Sequence, residues 1–182
     1  LECKTKGNDA FKIEKYSDAS NAYSEALAKH LIKDELRATL LCNRAACSLK
    51  IMDYKFAVKD CSDALTIVPA MTKALFRRAS AYDGLHEYAN SLKDLNTLLH
   101  FDPKNTQGIA MMRKVKAIVL NEQSNSSEVK NIIDTSQKDE SRLSAGLHAL
   151  IGLCYEDRNH AMDLLRKGGI SWLCDVINKE LT

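Results

Sequence analysis

One pattern constrains this chain more than any other: two stretches repeat each other at a distance of 34 residues. "NRAACSLKIMDYKFAVKDCSDALTIVP", from Asn43 to Pro69, and "RRASAYDGLHEYANSLKDLNTLLHFDP", from Arg77 to Pro103, both run 27 residues from a polar residue to a proline. Ala45 and Ala79 hold the same place in the two copies, as do Tyr54 and Tyr88, Lys59 and Lys93, Asp60 and Asp94, and the two prolines. An earlier copy, "KGNDAFKIEKYSDASNAYSEAL" from Lys6 to Leu27, carries Gly7, Tyr16, Ala19, Tyr23 and Ala26. Gly7 precedes Ala45 by 38 residues, so the first connection is four residues longer. A period of this length marks a row of like units, each too small to bury its apolar face alone.

The units read as pairs of helices. Two prolines and seven glycines in 182 residues leave little of the punctuation that a β-rich fold needs, so the expected class is all-α. The small residues Gly7, Ala45 and Ala79 let the two helices of each unit approach closely, and Ala19, Ala57 and Ser91 do the same on the second helix. Pro69 and Pro103 end the second helices, because proline lacks the amide that the ladder needs. The pattern resembles the tetratricopeptide repeat (TPR). The resemblance implies an α-solenoid with a concave inner wall, built from repeats at about 1–34, 38–71 and 72–104. The next segment, "GIAMMRKVKAIVL", places apolar residues at Ile109, Met112, Val115, Val119 and Leu120. It reads as a capping helix over 107–122, which closes a TPR domain spanning 1–122.

Asn43 interrupts the small, apolar stretch "LCNRAACSLK", and asparagine is a mediocre helix former. The repeat register explains it. Asn43 is the sixth position of the second repeat, on the first helix and facing the concave wall, and Arg77 holds that position in the third. Lys73 lies one helical turn before Arg77 and so points the same way. Lys4 and Asn8 are also four apart on one face of the first repeat. Each residue alone reads as solvated surface. Together, Lys4, Asn8, Asn43, Lys73 and Arg77 resemble the dicarboxylate clamp of TPR co-chaperones. That resemblance implies binding of the final Asp of the Glu-Glu-Val-Asp tail of heat-shock protein 90, heat-shock protein 70 or both. A terminal Asp offers two carboxylates, its side chain and the chain end. The asparagines donate amide hydrogens without charge, the lysines add positive charge, and the arginine forks onto oxygens. Capture of a free C-terminus is a recognised mode of peptide binding. Phe11, Ala46, Leu49 and Phe76 are candidates for the tail's apolar contacts, and Lys50 for a further contact to a tail glutamate. Arg44 lies one step round the helix from the groove; its stem is expected to pack while its head finds a carboxylate.

The last third changes character. "NEQSNSSEVKN" reads as a linker or helix break, after which helical periodicity resumes. Leu143, Leu147, Leu150, Ile151 and Cys154 form one apolar stripe, Met162 and Leu165 a second, and Ile170, Leu173, Val176 and Ile177 a third beyond Gly168-Gly169. This arrangement, with its Gly-Gly-Ile turn, resembles the opening of an armadillo-type repeat, which implies that residues 123–182 hold a linker and the first armadillo-like helices. A clamp-type TPR domain followed by armadillo repeats resembles the UCS myosin chaperones, which implies a myosin client held by regions beyond this chain. A TPR–armadillo assembly factor for axonemal dynein is an alternative, as is the TPR targeting domain of a larger enzyme. The chain begins without Met and within a helical pattern, so it reads as a piece of a longer protein.

Other functions find little support. The net charge of +2 is too small to argue for nucleic acid, and no apolar run reaches membrane-spanning length. The histidines are scattered, no nucleophile motif occurs, and Gly168-Gly169 has neither a preceding strand nor a following Lys-Ser/Thr, so no catalytic residue, metal ligand or cofactor is assigned. Cys3, Cys42, Cys47, Cys61, Cys154 and Cys174 match no zinc spacing and read as buried, reduced thiols. That favours a reducing compartment, and the expected location is the cytoplasm.

Overall fold

The computed structural model describes residues 2–29, 32–121 and 152. The three apolar stripes and the Gly168-Gly169 break expected after residue 121 lie outside the described residues. The chain divides into two compact units, 1–116 and 117–182.

Six helices alternate with short turns: α1 (Glu2–Lys12), α2 (Tyr16–Leu27), α3 (Asp34–Lys50), α4 (Tyr54–Ile67), α5 (Thr72–Gly84) and α6 (Tyr88–Phe101). A seventh, α7, runs over the described residues 106–121. Contacts pair α1 with α2, α3 with α4, and α5 with α6; α2 also packs on α3 and α4 on α5. The first helices of successive repeats, α3 and α5, touch directly, and this contact forms the inner wall.

Local chemistry sets the helix ends. Asp53 caps α4, its side chain accepting from the Phe56 amide at 3.1 Å, which satisfies one of the orphan donors of the first turn. Asn105 caps α7 in the same way, accepting from the Gly108 amide at 2.9 Å. Asp34 and Glu35 open α3 and Lys50 closes it, each complementing the helix dipole. Pro69 and Pro103 stand just beyond the C-termini of α4 and α6.

Small residues set how closely the helices approach. Ala19, Ala45, Ala57, Ala79 and Ser91 are all fully buried. Ser91 also donates from Oγ to the Ala79 carbonyl at 3.0 Å, so its hydroxyl is satisfied where an alanine would otherwise serve. Larger apolar residues fill the space between repeats: Leu41, Leu65, Leu75 and Leu98 pack in one cluster, and Tyr23 and Leu40 in another. Val115 of α7 packs on Ala79 and Leu95.

Arg44 has a definite place. Its Nε and Nη2 fork onto the Asp60 carboxylate at 2.7 Å each, and Nη1 donates to Ser24 Oγ at 2.9 Å. Its guanidinium lies 5.0 Å from the Phe56 ring centroid. One side chain thereby ties α2, α3 and α4 together. Arg78 repeats the device one period later, forking onto Asp94 at 2.7 Å and reaching Ser62 at 3.1 Å.

Candidate functional site

Three of the five clamp candidates meet in a hydrogen-bonded row. Asn8 comes from α1, Asn43 from α3 and Arg77 from α5, the first helices of the three repeats. Arg77 Nη1 lies 3.4 Å from Asn43 Oδ1, and Asn43 Nδ2 lies 3.5 Å from Asn8 Oδ1. The same Nη1 donates to the Cys42 carbonyl and stands 3.0 Å from Cys42 Sγ. The guanidinium is therefore anchored to the backbone of the neighbouring repeat, and its position does not depend on a ligand.

These side chains line an open cavity of about 280 Å³ together with Phe11, Lys12, Tyr23 and Ala46. A second cavity of about 420 Å³ shares Phe11, Ala46 and Arg77 and continues past Leu49, Lys50, Lys73 and Phe76 to Thr72, Asn105 and Gln107. The shared residues join the two into one track along the inner wall. Among the described residues lining it, Lys12, Lys50, Lys73 and Arg77 are cationic and none is acidic. Such a surface attracts an anionic, extended ligand and offers it aromatic faces on the way. Asp9 stands at the rim, 3.4 Å from Lys12.

Lys73 is exposed and lines the second cavity. Lys4 is half-buried on α1, one turn before Asn8, and lines neither cavity. The apolar candidates Phe11, Ala46, Leu49 and Phe76 all line the track, as does Lys50. Sequence reading missed Lys12, Tyr23, Thr72, Asn105 and Gln107. Lys12 was within reach, being four residues after Asn8 on the same helix face. Asn105 and Gln107 come from the junction before α7, and no repeat register predicts that this junction folds over the groove.

Cys42, Cys47 and Cys61 are buried free thiols beside this wall. Burial raises each thiol pKa, that of Cys47 to about 11, while Arg77 opposes the shift. They stay protonated and serve as packing atoms. Among the described residues, no group of His, Cys, Asp and Glu is placed to hold a metal ion, and no helix is long and apolar enough to cross a membrane.

No family model matches the sequence. Among solved structures, the second TPR domain of human RPAP3, in complex with the HSP70 peptide SGPTIEEVD, is 33% identical with a TM-score of 0.58, and the match covers 63% of this chain and 92% of that domain. The chain belongs to the tetratricopeptide-repeat family. Its TPR domain resembles those of co-chaperones that bind heat-shock proteins 70 and 90. The myosin chaperone UNC-45 from C. elegans, in complex with an Hsp90 peptide, matches 97% of this chain at 28% identity and a TM-score of 0.63, over 21% of its own length. Human mitochondrial import receptor subunit TOM34 is 38% identical over 112 residues, 59% of this chain and 36% of TOM34. This chain thus spans about a third of that relative.

Proposed function

We propose that the TPR groove binds the free C-terminal tail of a heat-shock protein 90 or 70 chaperone through a dicarboxylate clamp, with the final Asp as its ligand. The observation that carries this reading is the row Asn8–Asn43–Arg77. Three successive repeats each contribute a donor to one cavity, and the track leading from it holds cations and aromatic faces and no described acidic residue. Amide and guanidinium donors cover the chain-end and side-chain carboxylates, Lys73 adds charge, and Phe11 and Phe76 receive the tail's apolar side chains. Lys4, one turn before Asn8 on α1, is the fifth member of the proposed clamp and would have to extend its side chain toward Asn8 to reach the ligand. Charge-assisted hydrogen bonds contribute about 1.5–3 kcal/mol each, and ordering the tail offsets part of the total. A dissociation constant in the micromolar range, about −8 kcal/mol, is the expected net.

The chain then acts as an adaptor without catalytic chemistry of its own, delivering the chaperone to a client in the cytoplasm. A myosin motor domain is the client this reading favours, and the match to UNC-45 over 97% of the chain supports that choice. Isothermal titration with SGPTIEEVD and with a Met-Glu-Glu-Val-Asp peptide, each as free acid and as C-terminal amide, tests the docking half. Micromolar binding of the acids and much weaker binding of the amides is expected; equal binding of acid and amide would refute it. Co-purification of the full-length protein with myosin rather than dynein heavy chain tests the client half.

A further inference from the structure

Tyr23 is one of the least exposed side chains of the first repeat, at 2%, and it sits on α2, the helix behind the groove wall. Its ring reaches the groove because Gly7 leaves room: a Cβ on Gly7 would stand 2.6 Å from Tyr23 Cε1. At the corresponding places the second repeat pairs Ala45 with Cys61 and the third pairs Ala79 with Leu95, so neither brings a hydroxyl through the wall. In the first repeat the Tyr23 hydroxyl donates to Asn8 Oδ1 at 2.8 Å. Asn43 Nδ2 approaches the same oxygen at 3.5 Å. A carboxamide oxygen has two lone pairs and its nitrogen two hydrogens. With the oxygen held on the Tyr23 side, the amide presents Nδ2 as a donor to the cavity. The reversed amide would set oxygen against a ligand carboxylate, two acceptors in contact. Arg77 Nη1, 3.4 Å from Asn43 Oδ1, orients the second amide in the same sense. Burial pushes the Tyr23 phenol above its ordinary value, so the hydroxyl remains a donor.

We infer that Tyr23 is a positioning residue for carboxylate recognition: its hydroxyl, seated by Gly7, fixes Asn8 with Nδ2 toward the ligand before the ligand arrives. This rests on the proposed tail-binding function and adds to it the group that sets its polarity. A preoriented donor spares the complex the cost of selecting one of two amide orientations.

Titration of wild type, Tyr23→Phe, Asn8→Ala and the double variant with the free-acid and amidated SGPTIEEVD peptides tests the inference. Tyr23→Phe keeps the ring and the packing, and its melting temperature verifies that the fold is kept. Wild type is expected to prefer the acid. Tyr23→Phe should weaken acid binding about five- to tenfold, the size of one modest hydrogen-bond contribution, with little change for the amide. In the Asn8→Ala background the same substitution should change nothing, since no amide remains to orient. Acid binding by Tyr23→Phe within twofold of wild type would overturn the inference and leave tail binding intact, and so would an equal loss with and without Asn8. A wild type that does not distinguish acid from amide would overturn tail binding itself, and this inference with it.

Discussion

Arg44 and Asp60 form a two-pronged ion pair, with both nitrogen–oxygen distances at 2.7 Å, and the carboxylate side chain is wholly buried. Arg78 and Asp94 repeat it one period later. Each pair crosses from the first to the second helix of its repeat, and Ser24 or Ser62 extends it to the repeat before. The solenoid is therefore stitched at a fixed interval behind the groove, while Asn43 and Arg77, each one residue earlier in sequence, face the other way into it.

Removing Asp94 leaves the partly buried Arg78 guanidinium without its carboxylate, and breaking such a pair costs up to about 3–5 kcal/mol. Asp94→Ala is expected to lower stability by that order in chemical denaturation. Asp63→Ala breaks only the exposed Lys59–Asp63 pair at 3.8 Å and should change stability by no more than about 0.5 kcal/mol. Equal effects of the two would show that burial does not govern the pair.

The turns inside the repeats store strain. Glu14, Met52 and His86 all have φ near +60°, and they fall at the same place in the three repeats, 38 and 34 residues apart. A side chain in this left-handed region costs about 1–2 kcal/mol. Glycine relieves that cost, although its greater freedom in the unfolded chain offsets part of the gain. Met52→Gly should therefore stabilise the domain by roughly 0.5 kcal/mol, read as a rise in denaturation midpoint. His86→Gly should gain less, because it also removes the 2.8 Å hydrogen bond between His86 Nδ1 and the Tyr88 hydroxyl.

The repeat made much of this molecule legible before folding was considered. Its period located the small contact residues Ala45, Ala57 and Ala79 and aligned Asn43 with Arg77 on the inner wall. The stitching pairs were harder to see. Asp60 and Asp94 showed as repeat matches, but nothing in a one-dimensional register says that Arg44 reaches a residue 16 positions on, across a helix hairpin. Tyr23 stood out in the first copy, where the later copies have Cys61 and Leu95, but its contact with Asn8 depends on the space at Gly7, a three-dimensional coincidence. Lys4 shows the converse: helical spacing put it on the face of Asn8, yet it lines neither cavity.

Alkaline pH should weaken the fold. Burial raises the thiols of Cys42, Cys47 and Cys61 and the phenols of Tyr23 and Tyr82, Cys47 to about 11 from an ordinary 9.0. These groups are neutral when protonated, so above pH 9 the unfolded chain releases protons that the folded chain retains. Stability is therefore full below about pH 9 and falls as pH rises through the folded values. Each such group steepens the fall by at most about 1.4 kcal/mol per pH unit. Denaturation of Cys47→Ala between pH 8 and 11 should show a shallower decline than wild type; parallel curves would remove Cys47 from the account.

The clamp reading is tested most cleanly at Lys73. Arg77 is bound to the Cys42 carbonyl and lies beside Asn43, so Arg77→Ala would remove the proposed ligand contacts and a bond between repeats together. A loss of tail binding there mixes recognition with stability. Lys73 is exposed on the wall of the second cavity, and reversing its charge leaves the helix packing untouched. Lys73→Glu should therefore keep the wild-type melting temperature within a degree or two. It should weaken free-acid tail binding by at least tenfold, since it replaces an attraction of about 1.5–3 kcal/mol with a repulsion. The deficit should shrink as salt rises from 0.05 to about 0.5 M, because screening weakens both the attraction and the repulsion. Unchanged affinity in Lys73→Glu at low salt would take the tail's carboxylates away from this wall.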